Sequence, residues 1–173
     1  MGRGRAIKII IDTREQKPLS FSCETVRKGL SVGDYMAEFA DGTLSTTVFE
    51  RKSINDLYGT LSQQYERFKL EIGKATQLKL RLIIITEGSL RRILSGCSNS
   101  QRTPISIVYQ LFTIRLRYGV ETVFCNTREE MSQYISHYFL AEERDHEDKL
   151  AGNRSKPMTV NVPGVGDCQY TGD

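Results

Sequence analysis

An α/β layer fold, with a mixed sheet flanked by helices, is predicted by three observations. Short β-branched apolar runs alternate with segments of helical spacing, the front strands are joined by a tight hairpin, and the later strands are separated by helices. Hairpin-joined strands pair antiparallel, whereas helical crossovers return strands in parallel, so one sheet must hold both pairings. The 173 residues suffice for one domain with a substantial core and are few for two.

The first strand is expected at Ala6 to Asp12 (AIKIIID), an apolar run ending in an acid. Thr13 to Gly29 is polar, contains Pro18 and carries no periodicity that assigns it. Tyr35 to Phe39 and Leu44 to Glu50 flank Ala40-Asp41-Gly42-Thr43, a hairpin signal because Gly42 tolerates positive φ. Ser53-Ile54-Asn55-Asp56 resembles a capping box, so a helix should start after Lys52 and run, broken near Gly59, towards Gln77.

Leu80 to Thr86 (LRLIIIT) is apolar without alternation, as a central strand covered on both faces would be. Glu87 to Leu94 suggests a short helix and Ser95 to Thr103 a polar loop. Pro104 opens a helix to Tyr118, with Ile105, Val108, Leu111, Phe112 and Leu116 giving an apolar face. Val120 to Cys125 is a further strand. A last helix from Thr127 carries Met131, Tyr134, Ile135, Tyr138 and Phe139 at helical spacing. These aromatics are read as core or interface rather than as a base-stacking platform. The pattern decays after Ala141, where EERDHEDK reads as a charged helix end and AGNRSKP as a linker. Residues 1–149 are therefore expected to form one domain and residues 150–173 a flexible tail.

Composition narrows the partners. Hydrophobic content of 39% with 26% charged residues is ordinary for a soluble globular chain. No apolar run approaches the roughly 20 residues that cross a bilayer, and the basic start reads as the approach to a first strand rather than a signal peptide. The four cysteines (Cys23, Cys97, Cys125, Cys168) are far apart, without a CxxC pair, which argues against a zinc site or a disulfide framework. An intracellular setting, cytoplasm with nucleoid or nucleus, is expected. A net charge of +3 does not by itself indicate nucleic acid, so any DNA contact must come from local clustering. Arg91-Arg92, Arg102 and the Arg115/Arg117 pair are either such a cluster or solvated faces; His137 and His146 read as surface or edge residues.

The chemistry concentrates in residues 33–56, GDYMAEFADGTLSTTVFERKSIND. Glu50 and Lys52 are two apart on a strand and leave the same face, while Arg51 points the other way. Asp34, at the start of the partner strand, can sit across from Glu50. Two carboxylates can hold Mg²⁺ or Mn²⁺ with positions left open for water and a phosphodiester. Lys52 would then orient or help deprotonate the attacking water, or stabilise developing charge. One E-x-K on a strand is common; the joint occurrence of Asp12, Asp34, Glu50 and Lys52 at strand ends is not.

Val32-Gly33-Asp34-Tyr35, a hairpin, and Glu50-Arg51-Lys52-Ser53-Ile54-Asn55-Asp56-Leu57 together resemble the signature G-D-x(n)-E-R-K-x(3)-D of the XPF-type structure-specific endonucleases. The upstream D-x-R-E is present as Asp12-Thr13-Arg14-Glu15. Gln64 and Arg67 resemble the helix after the motif, and LRLIIITEG the next core strand, so the likeness covers roughly residues 6–140. The resemblance implies a restriction-endonuclease-like core that cuts branched, flapped or junction DNA with Mg²⁺ or Mn²⁺. It implies Asp34 and Glu50 as metal ligands, Asp12 (with Glu15) supporting or completing the metal site, and Lys52 as the catalytic lysine. Arg14, Arg51, Gln64 and Arg67 are weaker candidates for DNA contact. Arg14 is expected to pair with Glu15, a phosphate contact being its other reading; Asp56 either belongs to the site or favours its helix dipole.

Relatives usually carry a tandem helix-hairpin-helix module that dimerises and grips DNA. Here Val162-Pro163-Gly164-Val165-Gly166 resembles the hairpin of such a motif, but no helix of adequate length follows. A stand-alone nuclease, a homodimer and dependence on a partner subunit all remain open. The competing functions are a non-catalytic DNA-binding or scaffold subunit of the same fold and a restriction- or repair-type nuclease acting on plain duplex.

Overall fold

The computed structural model describes residues 7–98 and 100–153. The expected tail hairpin at Val162 to Gly166 and most of the expected linker lie outside the described residues. Six strands form one mixed sheet: β1 Lys8–Ile11, β2 Glu24–Arg27, β3 Tyr35–Glu38, β4 Thr47–Ser53, β5 Arg81–Glu87 and β6 Glu121–Cys125. Their spatial order is β2-β1-β3-β4-β5-β6. β1 pairs antiparallel with β3, and β3 with β4, while β4-β5 and β5-β6 are parallel. The predicted split between a hairpin front and a crossover back is what forms.

The unassigned polar stretch contributes β2, which runs parallel to β1 at the sheet edge with every residue exposed. With no buried face it has no apolar alternation to read; its pairing with β1 and the Arg27 guanidinium, which donates to the Glu15 carbonyl at 2.7 Å, hold it. The helices are α1 Ile54–Thr60, α2 Tyr65–Gln77, α3 Leu90–Leu94, α4 Pro104–Tyr118 and α5 Arg128–Leu150. Ser53 caps α1 by accepting from the Asp56 N–H, and its hydroxyl donates to the Asp56 carboxylate at 2.7 Å. The expected break falls between Thr60 and Tyr65. The short helix starts at Leu90, capped by Ser89, because β5 extends through Glu87.

Strand alternation sorts the core into two layers. Ile10, Met36, Val48, Leu82 and Ile84 pack against Leu57, Phe68, Ile72, Ile107 and Ile114 of α1, α2 and α4. Ile9, Ile11, Tyr35, Phe49, Ile83 and Ile85 face Met131, Ile135 and Phe139 of α5. Phe49 meets Tyr134, Tyr138 and Phe139 at near-perpendicular ring angles; Phe139 is core, Tyr138 half-buried against it and Tyr134 exposed at the rim. β5 is covered on both sides, as its unbroken apolar run requires.

One helix buries only part of its expected apolar face. α4 buries Ile107, Leu111 and Ile114, whereas Ile105, Tyr109, Phe112 and Leu116 stand 55–86% exposed. Residues of α4 are apolar on more than one side, so spacing alone does not select the buried face. The His residues are peripheral: His137 Nδ1 lies 2.8 Å from the Gln133 carbonyl, and His146 Nε2 lies 2.9 Å from Asp41 Oδ2.

Candidate active site

Asp34 is placed by the glycine before it. Gly33 adopts φ +74°, and a Cβ there would stand 2.3 Å from Val48 Cγ2 and 3.0 Å from the Phe49 carbonyl. Only glycine combines that left-handed backbone with such an approach to β4. The Asp34 N–H then donates to Phe49 O at 2.7 Å, and the Arg51 N–H donates to Asp34 Oδ2 at 2.8 Å. The carboxylate of one strand is thereby fastened beside the ERK triplet of the next.

Val48, Glu50 and Lys52 share the α1/α2 face of β4 by alternation. Asp34, Glu50 and Lys52 line a cleft of about 240 Å³, whose other walls carry Arg14, Gln64, Arg67 and Glu71. Lys52 Nζ donates to Glu50 Oε1 at 2.6 Å. Burial favours the neutral amine, but the Glu50 charge and this hydrogen bond, with Asp34 adding to them, carry the Lys52 ammonium above the ordinary lysine value.

Asp34 is displaced the other way. Burial, and then the neighbouring Glu50 charge, push its carboxyl up to about 7, against the stabilising Arg51 N–H. Because the folded value lies above the unfolded one, stability contributed by the protonated acid is lost as pH rises through that value. Near neutral pH Asp34, which still holds part of a proton, and Glu50 therefore share a partly desolvated cleft with the Lys52 ammonium. That donor set fits a hard divalent cation, which takes oxygen ligands and retains several waters. Among the described residues no three His, Cys, Asp or Glu side chains group closely enough to hold one ion. The direct protein ligands would be the Asp34–Glu50 pair.

The upstream acids lie behind the cleft rather than on its wall. Asp12 is buried, with Oδ1 accepting from Arg14 Nε at 2.7 Å and from the Arg14 N–H at 2.9 Å. Its Oδ2 accepts from the Leu30 N–H at 2.5 Å. Burial alone would raise its pKa, but these donors hold it below the usual aspartate value. The expected Arg14–Glu15 pair is thus replaced by Arg14–Asp12. A two-residue spacing and one turn bring Arg14 back onto Asp12, and that contact aims Arg14 into the cleft.

Glu15 instead takes Arg51, with Nε 2.9 Å from Oε2 and an η nitrogen 3.1 Å from Oε1. Arg51 also approaches Glu87 Oε2 at 3.6 Å. Its side chain lies on the α5 face, opposite Glu50 and Lys52, as strand alternation demands. Glu71, on α2, is the cleft residue that motif reading missed. Its signal was available, because Gln64, Arg67 and Glu71 are spaced for one helical face.

The ERCC4 domain family model matches residues 11–138. XPF from Aeropyrum pernix superposes with a TM-score of 0.60 at 19% identity, over 91% of this chain and 75% of that one. XPF from Aeropyrum pernix in complex with DNA gives a TM-score of 0.59 at 18% identity, over 75% of this chain and 62% of that one. No curated protein matches the sequence. The matched span runs from the end of β1 into α5 and encloses every residue of the cleft, so the chain belongs to the ERCC4 domain family.

Proposed function

We propose that this chain is a Mg²⁺- or Mn²⁺-dependent endonuclease that hydrolyses phosphodiester bonds in branched, flapped or junction DNA. The observation that carries the reading is Asp34 beside Glu50, with Lys52 on the same cleft wall, inside an ERCC4 domain. A bound cation supplies Lewis-acid polarisation of the phosphoryl oxygen and relief of leaving-group charge. Asp34 and Glu50 hold it, and Lys52 stabilises charge that develops on the phosphate. Asp12 acts through Arg14, keeping that guanidinium at the cleft, where Arg14, Gln64 and Arg67 meet the DNA backbone. Arg51 serves the fold through Glu15 rather than the DNA. The solved complex of Aeropyrum pernix XPF with DNA supports DNA as the substrate class. We place the protein inside the cell; among the described residues no helix is long and apolar enough to cross a membrane.

The test is a substrate panel of labelled flap, fork and linear duplex with Mg²⁺ or Mn²⁺. Flap and fork should be cut well ahead of linear duplex. Equal cutting of all three would support a plain-duplex nuclease instead, and no cutting under any metal would support the scaffold reading.

The exposed stripe Ile105-Tyr109-Phe112-Leu116 supports a homodimer. Four large apolar side chains on one helical face form the kind of patch that marks an interface. A helix face of this kind can pack on its own copy about a two-fold axis. Wild type is expected to run as a dimer in light scattering and Leu116→Asp as a folded monomer. A wild-type monomer across the micromolar range would overturn the dimer without touching the nuclease reading.

A further inference from the structure

Lys52 shares its cleft with three carboxyl groups, Asp34, Glu50 and Glu71, and its ammonium is hydrogen-bonded to Glu50. It touches Glu50 at 2.6 Å, while Glu71, carried by α2, lines the same cleft. Burial and then the Glu50 charge push the Glu71 carboxyl up, the Lys52 charge opposes them, and Glu71 in turn favours the Lys52 ammonium. Glu71 is otherwise held only loosely at its outer side, with Arg67 Nε 3.7 Å from Oε1. Its side chain is 39% exposed, and the 79% exposed Arg67 is free to swing towards a phosphate.

This arrangement answers a conflict at Glu50. A cation that takes the Glu50 carboxylate and the Lys52 ammonium that already holds it are positive charges competing for one anion. Lysine carries its charge on a flexible four-carbon stem, so its head can move across a cleft of this size without backbone change. Glu71 is the cleft acid left over when Asp34 and Glu50 take the cation.

We propose that Glu71 is a positioning residue that receives the Lys52 ammonium when a divalent cation occupies Asp34 and Glu50, so that lysine and cation share the cleft instead of excluding one another. The inference rests on the metal role proposed above for Asp34 and Glu50. An Arg67 that turns to a phosphate would release Glu71 for this task, which couples arrival of DNA to placement of the lysine.

Calorimetric titration of the DNA-free protein with Mn²⁺ tests it, using wild type, Glu71→Gln, Lys52→Met and the double variant, each checked for an unchanged melting temperature. Glu71→Gln should weaken Mn²⁺ binding roughly tenfold, because Lys52 then stays on Glu50. Lys52→Met should bind at least as tightly as wild type. In the Lys52→Met background Glu71→Gln should change little. Equal weakening with and without Lys52 would mean that Glu71 serves the cation directly, and would overturn the proposal. So would wild-type affinity in Glu71→Gln. Absence of Mn²⁺ binding in wild type would be a different failure, that of the metal reading itself.

Discussion

Lys52→Met and Glu50→Gln are each expected to lower flap cleavage by about a thousandfold while leaving the fold and most of the DNA affinity in place. The size follows from what each group would do. Loss of a cation ligand or of a charge aimed at the transition state removes several kcal/mol, and each 1.36 kcal/mol is about tenfold in rate. DNA affinity is carried elsewhere, by exposed guanidiniums at the cleft mouth such as Arg14 and Arg67. Lys52→Arg separates charge from shape. It keeps a cation near Glu50, so cleavage near wild type would assign Lys52 a purely electrostatic task, and loss of cleavage would show that a compact ammonium is required.

Glu50→Gln has a second consequence that activity does not report. Burial comes first and the Glu50 charge second in holding the Asp34 acid near 7. Removing that charge should move the Asp34 titration down towards the ordinary value without restoring it, which carboxyl carbon shifts in NMR would follow. Variants that cut within about tenfold of wild type, in DNA conditions where wild type is active, would sink the active-site assignment.

What the sequence conveyed best was what local chemistry decides. The Asp41-Gly42 turn, the Ser53 cap and the unbroken β5 run each carry their own cause, and each element forms where its residues imply. The same logic put Asp34, Glu50 and Lys52 together, since Gly33 and the period of a strand fix which side chains meet. Three features were not legible because long-range contacts decide them. β2 has no buried face to mark it. α4 has apolar residues to spare, and only packing against β6 and α3 decides which are covered. The pairing of four charges, Asp12 with Arg14 and Glu15 with Arg51, depends on which side of the sheet each strand end faces. Glu71 differs from these three, since its spacing from Gln64 and Arg67 on one helical face was there to read.

The second large effect concerns stability. Arg51→Ala is expected to destabilise the fold by about 3–5 kcal/mol near neutral pH, because it leaves the Glu15 carboxylate buried without its partner. Glu15 is 6% and Arg51 14% exposed, and two short contacts join them. Burial alone would raise the Glu15 pKa, yet the Arg51 hydrogen bond, the Lys17 N–H and the Arg51 charge hold it below the usual glutamate value. The Lys17 N–H at 2.7 Å from Oε1 and the Tyr35 hydroxyl at 3.5 Å from Oε2 would remain, but two neutral donors do not replace a bidentate guanidinium. The sign with pH distinguishes this cause from lost packing. In wild type the depressed pKa contributes stability above the unfolded value that is lost as pH falls through the folded one. In Arg51→Ala the folded value should rise above the unfolded one, so the penalty should be full near neutrality and shrink as Glu15 takes up a proton in acid. Urea midpoints of both proteins at about pH 7 and about pH 4 measure this, and a destabilisation that stays constant would assign Arg51 to packing. Arg51→Met with Glu15→Gln should recover much of the loss, since no unpaired buried charge remains. An arginine at the centre of the ERK triplet would then be shown to hold the strand that presents Glu50 and Lys52 rather than to touch the DNA.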